Sequence, residues 1–230
     1  MSEHFTSVKA GTDYDPDVAL SLAIACDLGY KSKTTVKKFT KQWGYECLFH
    51  GVTKGQDIDT QCYVMANDTD TICVFRGSDD IKDWFANFQA VRDPGPFERT
   101  RAHKGFQDTL DPAVIATTNA IDKINGPTKR LCVIGHSPGG ALGSRYDGMI
   151  LENGYEVYGI YIFSSPHPGD EDFAQALNAA MGKGSHHRVV IDGDIVPHVP
   201  PEPFDHHVLH DPNKGSISML KNDRNRRQNP

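Results

Sequence analysis

No apolar run in these 230 residues approaches the ~18 needed to cross a bilayer. The opening "MSEHFTSVKAG" lacks both a positively charged leader and an apolar stretch behind it, so a cytoplasmic protein without a signal peptide is expected, with export by another route left open. Positive charge is also scarce: 24 Lys and Arg against 30 Asp and Glu give a formal net charge of −6, which argues against nucleic acid as a partner. The one basic cluster, "KNDRNRR", lies in the last residues and reads as a frayed, solvated tail over 221–230. The five cysteines are odd in number, scattered, and mostly set in apolar runs, so they fit buried thiols better than a disulfide framework. No internal repeat or low-complexity linker divides the chain, and a single domain over 1–230 is expected.

What is present alternates between helix and strand signals. "DYDPDVALSLAIACDLGY" sets Pro16 at a helix start, and a second helix is expected over 34–43. "TQCYVMAND" and "DTICVFRGS" are two short β-rich runs split by turn residues, a strand pair. "DDIKDWFANF" spaces Ile81, Trp84, Phe85 and Phe88 as one apolar helical stripe, and "RDPGPFERTRAH" reads as a loop. A helix follows over Phe106–Ile124, with Pro112 as an objection that could delay its start. Then come a strand, turn and helix in "RLCVIGHSPGGALGSRYDGMILENG", a strand in "YEVYGIYIFSSP", a helix in "GDEDFAQALNAAMG" and a strand in "HRVVIDGDIVP". Such alternation predicts an α/β fold with a mostly parallel sheet and its functional groups at the carboxyl ends of the strands.

The chemistry is concentrated in "GHSPGG", residues 135–140. A serine flanked by glycines two before and two after, between a buried strand and a helix rich in small residues, is the pattern of a nucleophile elbow. A serine hydroxyl becomes nucleophilic when a histidine takes its proton and a carboxylate holds that histidine in the right tautomer. Downstream, "IDGDIVPHVPPEPFDHHVLHDP" offers Asp192 or Asp194 just after a strand, with His198, His206, His207 and His210 beyond. Pro138 is the anomaly: the residue after the serine ordinarily lends its N–H to the oxyanion, and proline has none. Two readings stand here, an active hydrolase with a rebuilt oxyanion hole and a hydrolase fold that has become a binding protein. A third, a metal-dependent hydrolase using the 198–210 histidines, lacks any pair at helical ligand spacing.

Over residues 15–210 the chain resembles the class 3 lipase family. "FRGS" is similar to its oxyanion loop, "AHKGFQD" to its H-x-G-F segment, "GHSPGG" to G-H-S-L-G-G, "FSSPHPGDEDFA" to G-x-P-R-x-G and "DIVPHVPP" to D-x-V-P-x-x-P. The resemblance implies an α/β-hydrolase with a mostly parallel central sheet, helices on both faces and a short lid helix. It implies a serine esterase or lipase working through an acyl-enzyme, with no cofactor and no metal. Ser137 becomes the nucleophile, Asp194 the triad acid, and Ser78 an oxyanion donor beside the altered position Pro138. The base comes from "PFDHHVLH", as His206, His207 or, third, His210. Trp84, Phe85 and Phe88 become lid or acyl-site wall. His136 and His103 are structural, and Arg76 anchors the oxyanion loop. The partner implied is a small or lipid ester, with transient contact at a lipid interface; the acyl chain and alcohol are open.

Overall fold

The computed structural model describes residues 4–9, 13–54, 59–77, 91–124, 129–182, 184–199 and 215–220. Its centre is a seven-stranded sheet in the order β1-β2-β3-β6-β7-β8-β9. The strands are β1 Glu46–Lys54, β2 Asp59–Ala66, β3 Asp70–Phe75, β6 Arg130–His136, β7 Gly159–Phe163, β8 Ser185–Ile191 and β9 Gly215–Leu220. β1, β2 and β3 pair antiparallel; β3, β6, β7, β8 and β9 run parallel. A separate two-stranded ribbon joins β4, Arg92–Pro94, to β5, Arg101–His103.

Five helices are described: α1 Pro16–Leu28, α2 Lys33–Gln42, α3 Lys104–Asp122, α4 Pro138–Glu152 and α5 Glu171–Ala180. Asp15 caps α1 by accepting from Asp17 N–H at 2.9 Å and Val18 N–H at 3.1 Å, with Pro16 at the first helical position, as expected from the sequence. Asp170 caps α5 by accepting from Phe173 N–H at 2.9 Å.

The sheet is buried on both faces because its residues alternate between two apolar layers. Cys73, Phe75, Val133, Ile160 and Ile162 pack with Phe106, Leu110, Ala141, Tyr146, Phe173 and Leu177 from α3, α4 and α5. Ile72, Val74, Cys132, Ile134 and Tyr161 pack with Leu22, Ala25, Leu28 and Val36 from α1 and α2. The fold is thus the expected α/β class, with helices on both faces. All five cysteines are free; Cys26, Cys62, Cys73 and Cys132 are buried, and burial pushes their thiols up.

Three expectations change. The helix entering at Phe106 begins at Lys104 and runs unbroken through Pro112. The carbonyl that Pro112 leaves without a donor belongs to Asp108, an exposed residue where water can satisfy it. "RDPGPFERTRAH", expected as a loop, forms the β4–β5 ribbon around a turn in which Gly95 N–H donates to Thr100 O at 2.8 Å. β1 was not anticipated, since its sequence ECLFHGVTK interrupts any alternation with His50 and Gly51. The expected helix at 81–88 and the tail 221–230 lie outside the described residues.

Candidate active site

β6 delivers the chain to Ser137, which takes φ 56° and ψ −135° before α4 starts at Pro138. A positive φ on a residue with a side chain stores strain of roughly 1–3 kcal/mol, and it persists only where the surroundings enforce it. They do. Ser137 N–H donates to Phe163 O of β7 and Gly140 N–H donates to Ser137 O, each at 2.9 Å. A Cβ on Gly135 would stand 2.5 Å from the carbonyl carbon of Gly139 and 2.7 Å from Gly140 N. One on Gly139 would stand 2.7 Å from Arg76 O. The glycine spacing is therefore a packing requirement: β3, β6 and α4 meet here with no space for a methyl group.

The result is a hydroxyl held in a buried position at the carboxyl end of β6. Ser137 is 1% exposed, and among the described residues its Oγ has no hydrogen-bond partner. Buried polar atoms in folded proteins are nearly always paired, so such an atom requires an explanation.

Asp194 lies in the turn after β8, two strands from β6 and at the same carboxyl edge. Its Oδ1 accepts from Val196 N–H at 3.0 Å, and its own N–H donates to Ile191 O at 3.0 Å, so the turn fixes the carboxylate's direction. Asp194 is partly buried and Asp192 exposed, which separates the two carboxylates that the sequence offered. Burial holds the His136 imidazole below the usual histidine range, with Asp194 and Asp27 pulling the other way, so the field of Asp194 reaches the nucleophile turn.

Gly77, at the end of β3, brings the oxyanion-loop sequence against the elbow: a Cβ there would sit 2.7 Å from His136 O and 3.1 Å from Ser137 Cβ. Arg76 anchors this loop as expected. Its guanidinium stacks 4.8 Å over the Tyr30 ring and donates to Gln61 Oε1, and its N–H donates to Gln61 O at 2.9 Å. His136 is structural as expected, its Nδ1 hydrogen-bonded to Tyr30 Oη at 3.0 Å. His103 caps α3 by accepting from Gly105 N–H at 3.1 Å, also a structural role. Tyr30 and Gln61 were missed from the sequence; Tyr30 meets His136 across 106 residues of chain, and no local pattern reports such a contact.

Pro138 occupies the first position of α4, where its fixed φ suits the helix and its missing N–H would have been unpaired within it. Ser78, Trp84, Phe85, Phe88, His206, His207 and His210 lie outside the described residues. His198, by contrast, is exposed at the end of a one-turn 3-10 helix, Val196–His198. Among the described residues, no group of three or more His, Cys, Asp or Glu is arranged to hold a metal ion.

The family model described as Lipase (class 3) matches residues 72–204. The chain belongs to the class 3 lipase family. A lipase of Rhizomucor miehei is 34% identical over 163 residues, covering 64% of this chain and 42% of that protein. Secreted mono- and diacylglycerol lipase 1 of Fusarium solani is 27% identical over 132 residues, covering 56% of this chain and 39% of that one. The chain thus spans under half the length of these curated relatives. Among solved structures, a Rhizomucor miehei lipase propeptide complex superposes with a TM-score of 0.71 at 23% identity, covering 91% of this chain and 69% of that one. At that identity the likeness speaks to the fold, and it supports the α/β-hydrolase class. The cytoplasmic location expected from the sequence is overturned here: relatives from Fusarium, Penicillium and Malassezia are named secreted lipases. Among the described residues, no helix is long and apolar enough to cross a membrane.

Proposed function

We propose that this chain is a single-domain serine carboxylic ester hydrolase acting on lipid or other acyl esters, outside the cytoplasm like the relatives named secreted. The observation that carries the reading is Ser137: a buried hydroxyl with no hydrogen-bond partner among the described residues, on a positive-φ turn between β6 and α4. Ser137 Oγ attacks the ester carbonyl, and a histidine from "PFDHHVLH", His206 or His207, accepts its proton and passes it to the leaving alcohol. Asp194 orients that imidazole. Water then attacks the acyl-enzyme by the same route, and no cofactor is needed for any step.

The oxyanion requires donors, and Pro138 supplies none. The N–H and hydroxyl of Ser78 and the N–H of Gly139, the first that α4 possesses, are the groups assigned to it. Trp84, Phe85 and Phe88, on one apolar stripe, are assigned to the acyl site or its cover.

The test is labelling with a fluorophosphonate and mass mapping of the adduct, followed by turnover of p-nitrophenyl esters from acetate to palmitate. A label on Ser137, lost together with turnover in Ser137→Ala, supports the esterase and gives its chain-length preference. Well-folded protein that takes no label and turns over no ester overturns it, and points to a binding protein disarmed by Pro138.

A further inference from the structure

β8, an interior strand paired with β7 on one side and β9 on the other, buries an arginine, a residue rarely buried unless its guanidinium finds partners. Arg188 is 2% exposed, among the largest fully buried side chains of the protein. Its Nη2 donates to Ser165 O at 2.8 Å and to Pro197 O at 3.0 Å. These two carbonyls belong to different loops at the carboxyl edge of the sheet: Ser165 follows β7, and Pro197 follows Asp194 by three residues. Ser165 in turn is pressed onto the nucleophile turn, since a Cβ on Gly140 would lie 2.6 Å from Ser165 Cβ. Asp194 is tied to the same turn as Pro197 through its bond from Val196 N–H at 3.0 Å. A continuous mechanical path therefore runs from the elbow through Ser165 and the Arg188 guanidinium to the loop that carries Asp194.

We propose that Arg188 is a positioning residue, which uses one guanidinium nitrogen to clamp the Asp194 turn to the β7 loop and so sets the distance between the triad acid and Ser137. The inference rests on Asp194 being the triad acid. A neutral side chain could fill the volume, but a single nitrogen with two hydrogens is what holds two carbonyls of separate loops together. Asp194 also favours the charged guanidinium electrostatically, opposing the burial that pushes Arg188 down to about 9. Nothing in this path touches substrate; Arg188 acts through Asp194 and the histidine that Asp194 orients.

The experiment compares wild type, Arg188→Met and Arg188→Lys in kcat, KM and the pH profile of kcat/KM on p-nitrophenyl butyrate, with thermal melting beside them. Asp194→Asn serves as the reference for loss of the acid. A displaced carboxylate no longer supports the imidazolium, so the acid limb of the profile moves to lower pH. For Arg188→Met the expectation is a fall in kcat of about tenfold or more with KM nearly unchanged, together with that acid-limb shift, because misplacing a catalytic partner by an ångström costs up to about 10²-fold. Arg188→Lys, with charge kept and one carbonyl still in reach, should recover part of both. A purely structural role would lower the melting temperature and leave kcat per folded molecule and the acid limb where they were; that result, in whichever variant folds, overturns the proposal. If neither variant folds, Arg188 is a folding residue and the proposal is likewise overturned. Failure of the underlying assignment looks different: Asp194→Asn would retain wild-type kcat and acid limb.

Discussion

Asp147 gives the sharpest test of the physical picture. It lies on α4, the helix that follows the elbow and packs on β6, β7 and β3, and it has no solvent exposure. Among the described residues neither carboxyl oxygen has a hydrogen-bond partner. Burial alone pushes its carboxyl well above the usual carboxylate range. The folded protein then holds a proton that the unfolded chain has released. The contribution is complete below the unfolded value of about 4 and is lost as pH rises toward the folded one, at up to about 1.4 kcal/mol per pH unit for one proton. Asp147→Asn keeps shape and polarity while removing the titration. Relative to wild type it should be close to neutral at pH 4 and should gain up to about 2.7 kcal/mol between pH 5 and pH 7. For a chain of this size that corresponds to roughly 5–11 °C in melting temperature. Urea unfolding at pH 5, 6 and 7 reads the difference directly, and terms common to both proteins cancel. Curves that stay parallel across the range would refute the assignment of a buried neutral carboxyl.

The other expectations concern the elbow and the second face of the sheet. Gly139→Ala places a methyl 2.7 Å from Arg76 O and 2.6 Å from its carbonyl carbon, so it should lower both melting temperature and the Ser137 labelling rate; wild-type labelling would show that β3 can give way. Pro138→Ala restores an N–H at the oxyanion position, and because one such donor is worth about 10²–10³ in rate, kcat should rise, short of that ceiling where Ser78 and Gly139 already serve. A folded variant that is no faster would show that the oxyanion site is complete without this N–H. His187 packs against Tyr161 at 4.6 Å and Tyr14 at 5.6 Å, and burial lowers it to about 4. A depressed histidine stabilises above its unfolded value of about 6.5 and loses that contribution as pH falls toward 4, so His187→Phe should flatten the acid side of the stability curve. An unchanged slope between pH 6.5 and 4.5 in urea titrations would contradict it.

How much of this was legible in the sequence follows from the range of each interaction. The elbow was legible because its determinants are local: Gly135, Ser137 and Gly139 fall within five consecutive positions, and the steric reason for each glycine lies where β6, β3 and α4 meet. The parallel core was legible because β6, β7 and β8 are buried runs separated by helical patterns. β1 was not, because its register against β2 includes a bulge between Cys47 and Phe49 that breaks the period-two signal. The clamp at Arg188 was invisible for another reason: within "HRVVID" it reads as an ordinary polar residue of a strand, and only the approach of two later loops gives its guanidinium acceptors. Tyr30 belongs to the same class, a residue of the turn after α1 that becomes part of the site only when α1 docks on the sheet.

Pro138 joins the local and the long-range accounts. Ser137 is forced to φ 56°, and the next residue must at once enter a right-handed helix. Proline makes that entry with its φ already fixed, which limits the alternatives open to the unfolded chain and stabilises a compatible site by about 0.4–1 kcal/mol. The same ring removes the N–H that the oxyanion would otherwise receive. If Ser137 is the nucleophile as proposed, the residue that supports the strained turn also weakens its chemistry, and Pro138→Ala should separate the two effects by raising turnover while lowering the melting temperature. A variant that is slower and less stable would mean that the rigid entry into α4, rather than the number of donors, limits catalysis at Ser137.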